Sequence, residues 1–187
     1  MAIRTVKPHT GIKGMDVVLR NLAREIENIK GRSLVGLLEA AALIRRDMDK
    51  TPPLIPVDIG NLRASWFVVT AKSQKNESPN FKGEMAGKLK SQHNSVMSRM
   101  KSIAMSTKQP IVIMGFSANY SVWVHENVGA NFSGDQNKIK YTKSGKVTQA
   151  TKKYTRRSGA GAKFFESALK RNKNNILKTI QDNSQIK

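Results

Sequence analysis

A chain of 187 residues with 13 glycines, six prolines and 39% apolar residues has material for one folded domain, although its apolar share lies below the usual value of about 45–50%. No run approaches the roughly 18 consecutive apolar residues of a membrane-spanning helix, and the opening MAIRTVKPHTGIKG lacks the apolar core of a secretory leader, so a soluble protein made in the cytosol, with no membrane partner, is expected. Zero cysteines exclude disulfides and thiolate metal sites, and 33 Lys plus Arg against 13 Asp plus Glu leave a net charge of +20, beyond the magnitude of roughly 2–8 that solubility requires. That excess points to a polyanionic partner, either nucleic acid or an acidic protein surface.

Met15, Val18, Leu19, Leu22, Ile26 and Ile29 recur at helical spacing and predict a first amphipathic helix. Gly31 is expected to interrupt it, with Ser33 as the N-cap of a second helix whose apolar face is Leu34, Leu37, Leu38, Ala41, Ile44 and Met48. Thr51-Pro52-Pro53 should stop that helix, because proline removes a donor and restricts its predecessor. From Leu62 to Thr70 the side chains alternate and are rich in aromatic and β-branched residues, which predicts a strand with Leu62, Ala64, Trp66 and Val68 on one face. A second, buried strand is expected at Ile111–Phe116, and a short helix from Tyr120 with Tyr120, Trp123 and Val124 facing inward. The last element is a helix from about Ala162 to Gln181, apolar along Phe165, Ala168, Leu169, Ile176 and Ile180.

The predicted class is therefore α+β: a small antiparallel or mixed sheet packed against N-terminal helices and a C-terminal helix, in a single domain over 1–187. Two long basic segments interrupt it. Residues 71–109 carry eight basic and two acidic side chains and read as an insertion, with an amphipathic stripe through Met85, Leu89, Val96, Met100 and Ile103. Residues 135–157 carry eight basic and one acidic side chain and read as an extended arm turning at Lys143-Ser144-Gly145-Lys146. Together they hold 13 of the 20 net charges, +6 and +7, in about a third of the chain.

No catalytic set stands out, so no enzyme activity is expected. Acyl-transfer chemistry needs a nucleophile beside a positioned base, and the chain has neither G-x-S-x-G nor cysteine. His125, the histidine in the apolar context SVWVHEN, is followed by Glu126 but not by a second zinc-spaced histidine, and reads as a packed ring bonded to backbone or to a neighbouring subunit. Ser158-Gly159-Ala160-Gly161-Ala162 offers small residues near a helix start without the Walker lysine, and reads as a flexible joint. No metal, cofactor or small-molecule substrate is expected. In the arm, Tyr141 and Tyr154 interleave with lysines, a composition suited to non-specific contact with phosphates.

Three stretches, TPPLIPVDIGNLRASW from Thr51, ANYSVWVHEN from Ala118 and GAKFFESALKRN from Gly161, resemble in order and spacing the head-tail joining and tail-completion (neck) proteins of tailed bacteriophages. The matching positions are Asp58, Gly60, Leu62, Arg63 and Ser65, then Tyr120, His125 and Glu126, then Gly161, Ala162 and Phe164, with Trp66 and Trp123 beside them as expected core tryptophans. Ile59, where the family often has threonine, and the two long basic segments depart from the pattern. The resemblance implies a structural ring subunit of the virion neck, commonly six-fold, around a channel that DNA crosses, with neighbouring neck and tail proteins as partners. On that reading Lys138, Lys140, Lys143, Lys146, Lys152, Lys153, Arg156 and Arg157 are the candidate contacts to DNA phosphates or acidic neighbours. The competing expectation is a stand-alone, non-specific DNA-binding protein.

Overall fold

Helix α1 runs without a break from Met15 to Lys50. The expected interruption at Gly31 does not occur, since an interior glycine costs a helix only about 1 kcal/mol relative to alanine and neighbouring groups offset it. Arg32 bonds Glu25 at 2.8 Å across the glycine, Lys30 bonds Glu27, and Ser33 is helical, its hydroxyl meeting that of Ser184 rather than capping. The helix ends at Thr51, whose N–H donates to the Asp47 carbonyl, just before the two prolines. This is a computed structural model; it describes residues 14–72, 79–130, 132 and 157–185, and for the four two-residue strands named below the backbone alone.

Gly60, at φ +91°, opens the helical turn α2 (Asn61–Ala64), and β1 covers only Trp66–Val69. The strand expected from Leu62 therefore starts four residues late. Ser65 explains why: its N–H reaches the carbonyls of Asn61 and Leu62 and its hydroxyl donates to Leu62 O at 2.7 Å, closing a turn where alternation alone suggested extended chain. Helix α3 (Ala86–Ser106) precedes β2 (Ile113–Phe116), which pairs antiparallel with β1 in the register Trp66↔Phe116, Phe67↔Gly115, Val68↔Met114 and Val69↔Ile113. All four β2 residues are only half-buried, because a two-stranded sheet consists of edges. Helix α4 spans Ser121–Glu126 and α5 spans Phe164–Ser184.

The two faces of this small sheet serve two cores, as its period of two requires. Trp66, Met114 and Phe116 pack on a cluster of Ile44, Met48, Ile55, Leu62, Val124 and Phe164, between α1, α4 and α5. Phe67, Val69 and Ile113 face α3 through Met97 and Ala104. The stripe expected on α3 is rotated: Leu89, His93, Met97 and Ala104 are buried, whereas Met85 and Ile103 are exposed. His93 is thus a core histidine that its polar neighbours in the sequence conceal. Its Nδ1 lies 2.8 Å from the Ser117 hydroxyl, which itself donates to Ser65 O, so Nδ1 carries the proton. Burial holds the His93 pKa below its ordinary value, keeping the ring neutral.

Helices α1 and α5 are antiparallel partners, joined by Arg171 to Asp47 at one end and by Ser33 to Ser184 at the other. Their backbones approach most closely at Gly36, where a Cβ would lie 3.0 Å from Ile180 Cα and 3.1 Å from Asn183 Cβ. A G36A substitution should lower stability even though alanine favours helix, because overpacking costs about 1–3 kcal/mol against a propensity gain of about 1 kcal/mol. Thermal unfolding should show a melting temperature lower by a few degrees; an unchanged or raised value would show that the helices part without cost.

Candidate functional site

The three family-like stretches meet at one junction. Leu54 forms an isolated parallel bridge with Ala160: Leu54 N–H donates to Gly159 O at 2.8 Å and Gly161 N–H to Leu54 O at 3.2 Å. The 158–162 segment expected as a flexible joint is therefore held in place. Gly159, at φ +76°, reverses the chain beside Pro52, and a Cβ on Gly161 would sit 3.1 Å from Pro53 Cβ, so the bridge needs both glycines. Lys163, at φ +58°, donates its N–H to His125 O and starts α5.

Phe164 is the centre, with 1% of its surface exposed. Phe116 meets it edge to face at 5.5 Å between centroids and His125 at 5.0 Å. Glu166 N–H points at His125 Nε2 at 3.4 Å, which leaves the proton on Nδ1, 2.7 Å from Glu126 Oε1. Lys163 closes this chain on Glu126, whose carboxyl is held below its ordinary pKa by hydrogen bonds from Lys163 and then His125. Both imidazole nitrogens are thus occupied in tying the end of α4 to the start of α5. No serine, threonine or cysteine takes part in that chain of contacts.

A second node lies at the end of α1. Asp49 receives Arg45 at 2.8 Å, Arg63 at 3.1 Å and Arg157 at 3.3 Å, and Arg157 also donates to the Asp49 carbonyl. Arg45 Nη1 makes an ion pair with Asp49 without hydrogen-bond angles, and its guanidinium lies 5.9 Å from the Trp66 ring centroid. Burial alone would raise the Asp49 pKa, but hydrogen bonding from Arg63 and the charges of Arg45 and Arg63 outweigh it and hold it low. Asp47 behaves alike: burial raises it, yet the Arg171 hydrogen bond keeps its pKa below the ordinary carboxylate value. Arg171 also donates to the carbonyls of Thr51 and Pro52, fixing the turn that ends α1.

Of the residues singled out from sequence, Leu62, Ser65 and Phe164 are buried here, Trp66 is half-buried between Phe116 and Phe165, and Gly60, Arg63, His125, Glu126 and Gly161 have the places described. Ala162 lies in the turn before α5, and Asp58 is exposed in the bend before Gly60. Trp123 and Tyr120 do not face inward: they are 63% and 37% exposed, and of the three residues assigned to that face only Val124 reaches the core. The reason is that α4 begins at Ser121 and points Ser121 and Val124 at the body, which turns Trp123 to the outside. Leu169 is likewise at the surface of α5. Asp47, Asp49, Arg45, Lys163 and Arg171 carry much of the site's geometry and were missed. The one signal, for the two acids, is Asp47-Met48-Asp49-Lys50 leading into Thr-Pro-Pro in a chain poor in acid, and their partners lie up to 124 residues away.

The basic arm is a paired structure. Strands β3 (Gln136–Asn137) and β6 (Lys153–Tyr154) are antiparallel, as are β4 (Lys140–Tyr141) and β5 (Val147–Thr148), and neither pair joins β1–β2. Lys140 and Lys153 lie in these strands; Lys138, Lys143, Lys146, Lys152 and Arg156, with the expected turn, lie outside the described residues. Both roots are anchored on the junction, through Phe132 packed against the Phe164 cluster and Arg157 on Asp49. Among the described residues no group of three or more His, Asp or Glu could hold a metal, and no helix is long and apolar enough to cross a membrane.

Asp49 makes a pH prediction. Its folded pKa is lower than in the unfolded chain, so its stabilisation is complete above the unfolded value of about 3.9 and is lost as pH falls through the lower folded value. A D49N variant should lose roughly 2 kcal/mol at neutral pH, between the values of exposed and buried pairs. In urea titrations the gap from the parent protein should narrow as pH drops from 5 towards 2; a constant gap would mean that the carboxylate charge is not what holds the node. No family model, no curated protein and no solved structure matches the chain.

Proposed function

We propose that this protein is a structural ring subunit at the head-tail junction of a tailed bacteriophage, with no catalytic role. The observation that carries the reading is that the three stretches resembling neck and tail-completion proteins, separated by about fifty and thirty residues, pack around Phe164 as one junction. Phe132 and Arg157, which flank the basic segment, are fixed on that same junction, so the segment leaves and re-enters the body at defined points. In a ring, such hairpins would be repeated around a channel or along the contact with the next layer, where their lysines would meet DNA phosphates or acidic protein.

Arg157 serves as an anchor in this reading, which removes it from the contact set. The test is to replace Lys138, Lys140, Lys152, Lys153 and Arg156 with glutamine, leaving Arg157 intact. The expected result is a folded protein with unchanged melting temperature and at least a tenfold loss of infectious particles, with full heads and separate tails in electron micrographs. Normal particles from this variant would overturn the assigned role of the arm, and virions that lack the polypeptide altogether would overturn the neck reading.

The net charge of +20 favours a second reading, non-specific DNA binding by the free protein. It predicts duplex binding whose log affinity falls linearly with log salt, with a slope near 0.9 for each phosphate neutralised. Removing five charges should then flatten the slope, with no effect on particle assembly.

A further inference from the structure

We propose that copies of this chain associate head to tail, the free N-terminal half of α1 on one copy seating in the apolar groove beside α4 on the next. Met15, Leu19, Leu22, Ile26 and Ile29 follow a 4-3-4-3 spacing, the seam of a helix that packs against another surface. The same seam continues through Ser33, Gly36 and Ala40, where α5 covers it with its backbone close against Gly36. Helix α5 ends at Ser184, beside Ser33. Beyond that point the seam changes from small to large residues, and Leu19 and Leu22 stand 54% and 56% exposed.

The second uncovered apolar surface lies at the other end of the body. Val122, Trp123 and Val128 are 69%, 63% and 75% exposed, and Val122 lines an open cavity of about 240 Å³ with Phe116, Phe164 and Phe165 and the polar Ser121, His125 and Glu126. That volume is below the roughly 300–1,000 Å³ of small-molecule sites and suits one or two inserted side chains. One copy cannot satisfy both surfaces. Helix α1 is a single rigid element, and Leu22 lies about 39 Å along it from Met48, which packs in the same cluster as Val124, at 1.5 Å rise per residue.

Charge selects a second copy as the occupant. In a chain of +20, residues 14–30 balance Asp16, Glu25 and Glu27 against Arg20, Arg24 and Lys30, and residues 109–137 contain no lysine or arginine at all. The two apolar surfaces therefore sit on the segments where two strongly cationic copies repel least. Distinct, complementary patches on one subunit make a heterologous contact, which closes into a ring when its rotation allows. Only that closure rests on the neck reading; the pairing does not.

The test uses full-length protein and two variants at exposed positions, L19D/L22D on the helix and V122D/W123D beside the groove. In native mass spectrometry and light scattering at micromolar concentration, the parent should give a discrete oligomer. Each variant alone should be monomeric, with association at least about thirty-fold weaker. Mixed in equal amounts, they should form a one-to-one dimer and nothing larger, because one supplies an intact groove and the other an intact helix. A monomeric parent, or a mixture that stays monomeric, would overturn the pairing. So would a groove variant that still dimerises, which would show helix-on-helix pairing, or a helix variant that still assembles, which would leave the stripe to the chain's own first 13 residues. Discrete oligomers and the one-to-one dimer without any defect in particles would keep the pairing and sink the neck reading.

Discussion

The burial of Phe164 is the constraint on which the rest of the structure depends. An aromatic ring taken wholly out of water contributes about 3–5 kcal/mol, by the usual cost of truncating such a side chain to alanine, a large part of the marginal stability of any domain. It can be buried only if α5 starts where α4 ends, and the His125, Lys163 and Glu126 contacts fix that relation. The ring also sets the position of β2 through Phe116 and of α1 through Ile44 and Met48. The polar contacts around it give direction to a packing force that has none of its own.

Electrostatics works here by scarcity. With 13 acidic residues against 33 basic ones, some ion pairs in the body are shared: Glu126 and Glu166 share Lys163, and Asp49 faces three guanidiniums from α1, α2 and the root of the arm. Such a pair at the surface would contribute little. Asp49 is largely shielded from solvent, so its loss would leave Arg45 and Arg157 near one another with reduced compensation. By sequence, 13 of the 20 net charges fall outside these nodes, in residues 71–109 and 135–157.

The body and the arm divide the labour. Packed clusters on both faces of the β1–β2 sheet make a rigid platform, with α3 on one side and the α1–α5 pair on the other. The hairpin has no share in that sheet, so its sequence is free to be basic without a cost to the core. In the proposed role, long-range attraction from such an extension would speed encounter with an anionic partner, whereas apolar surfaces such as those on α1 and α4 would supply persistence.

The sequence by itself determined the class of fold, the end of the first long helix at Thr51-Pro52-Pro53, the final helix, and the location of most of the charge. These follow from local rules: helical and strand periods, proline stops and composition. Only the structure decided that α1 runs through Gly31: the Arg32–Glu25 bond spans the glycine within the helix, and α5 packs on the turns that follow it, from Ser33 to Gly36. It also decided which histidine is buried and which tryptophan is exposed, since a side chain's surroundings come from elements distant in the chain. The pairing of Asp49 with Arg157 across 108 residues and of Asp47 with Arg171 across 124 has no local signature, because an ion pair is a relation in space and not a pattern along the backbone.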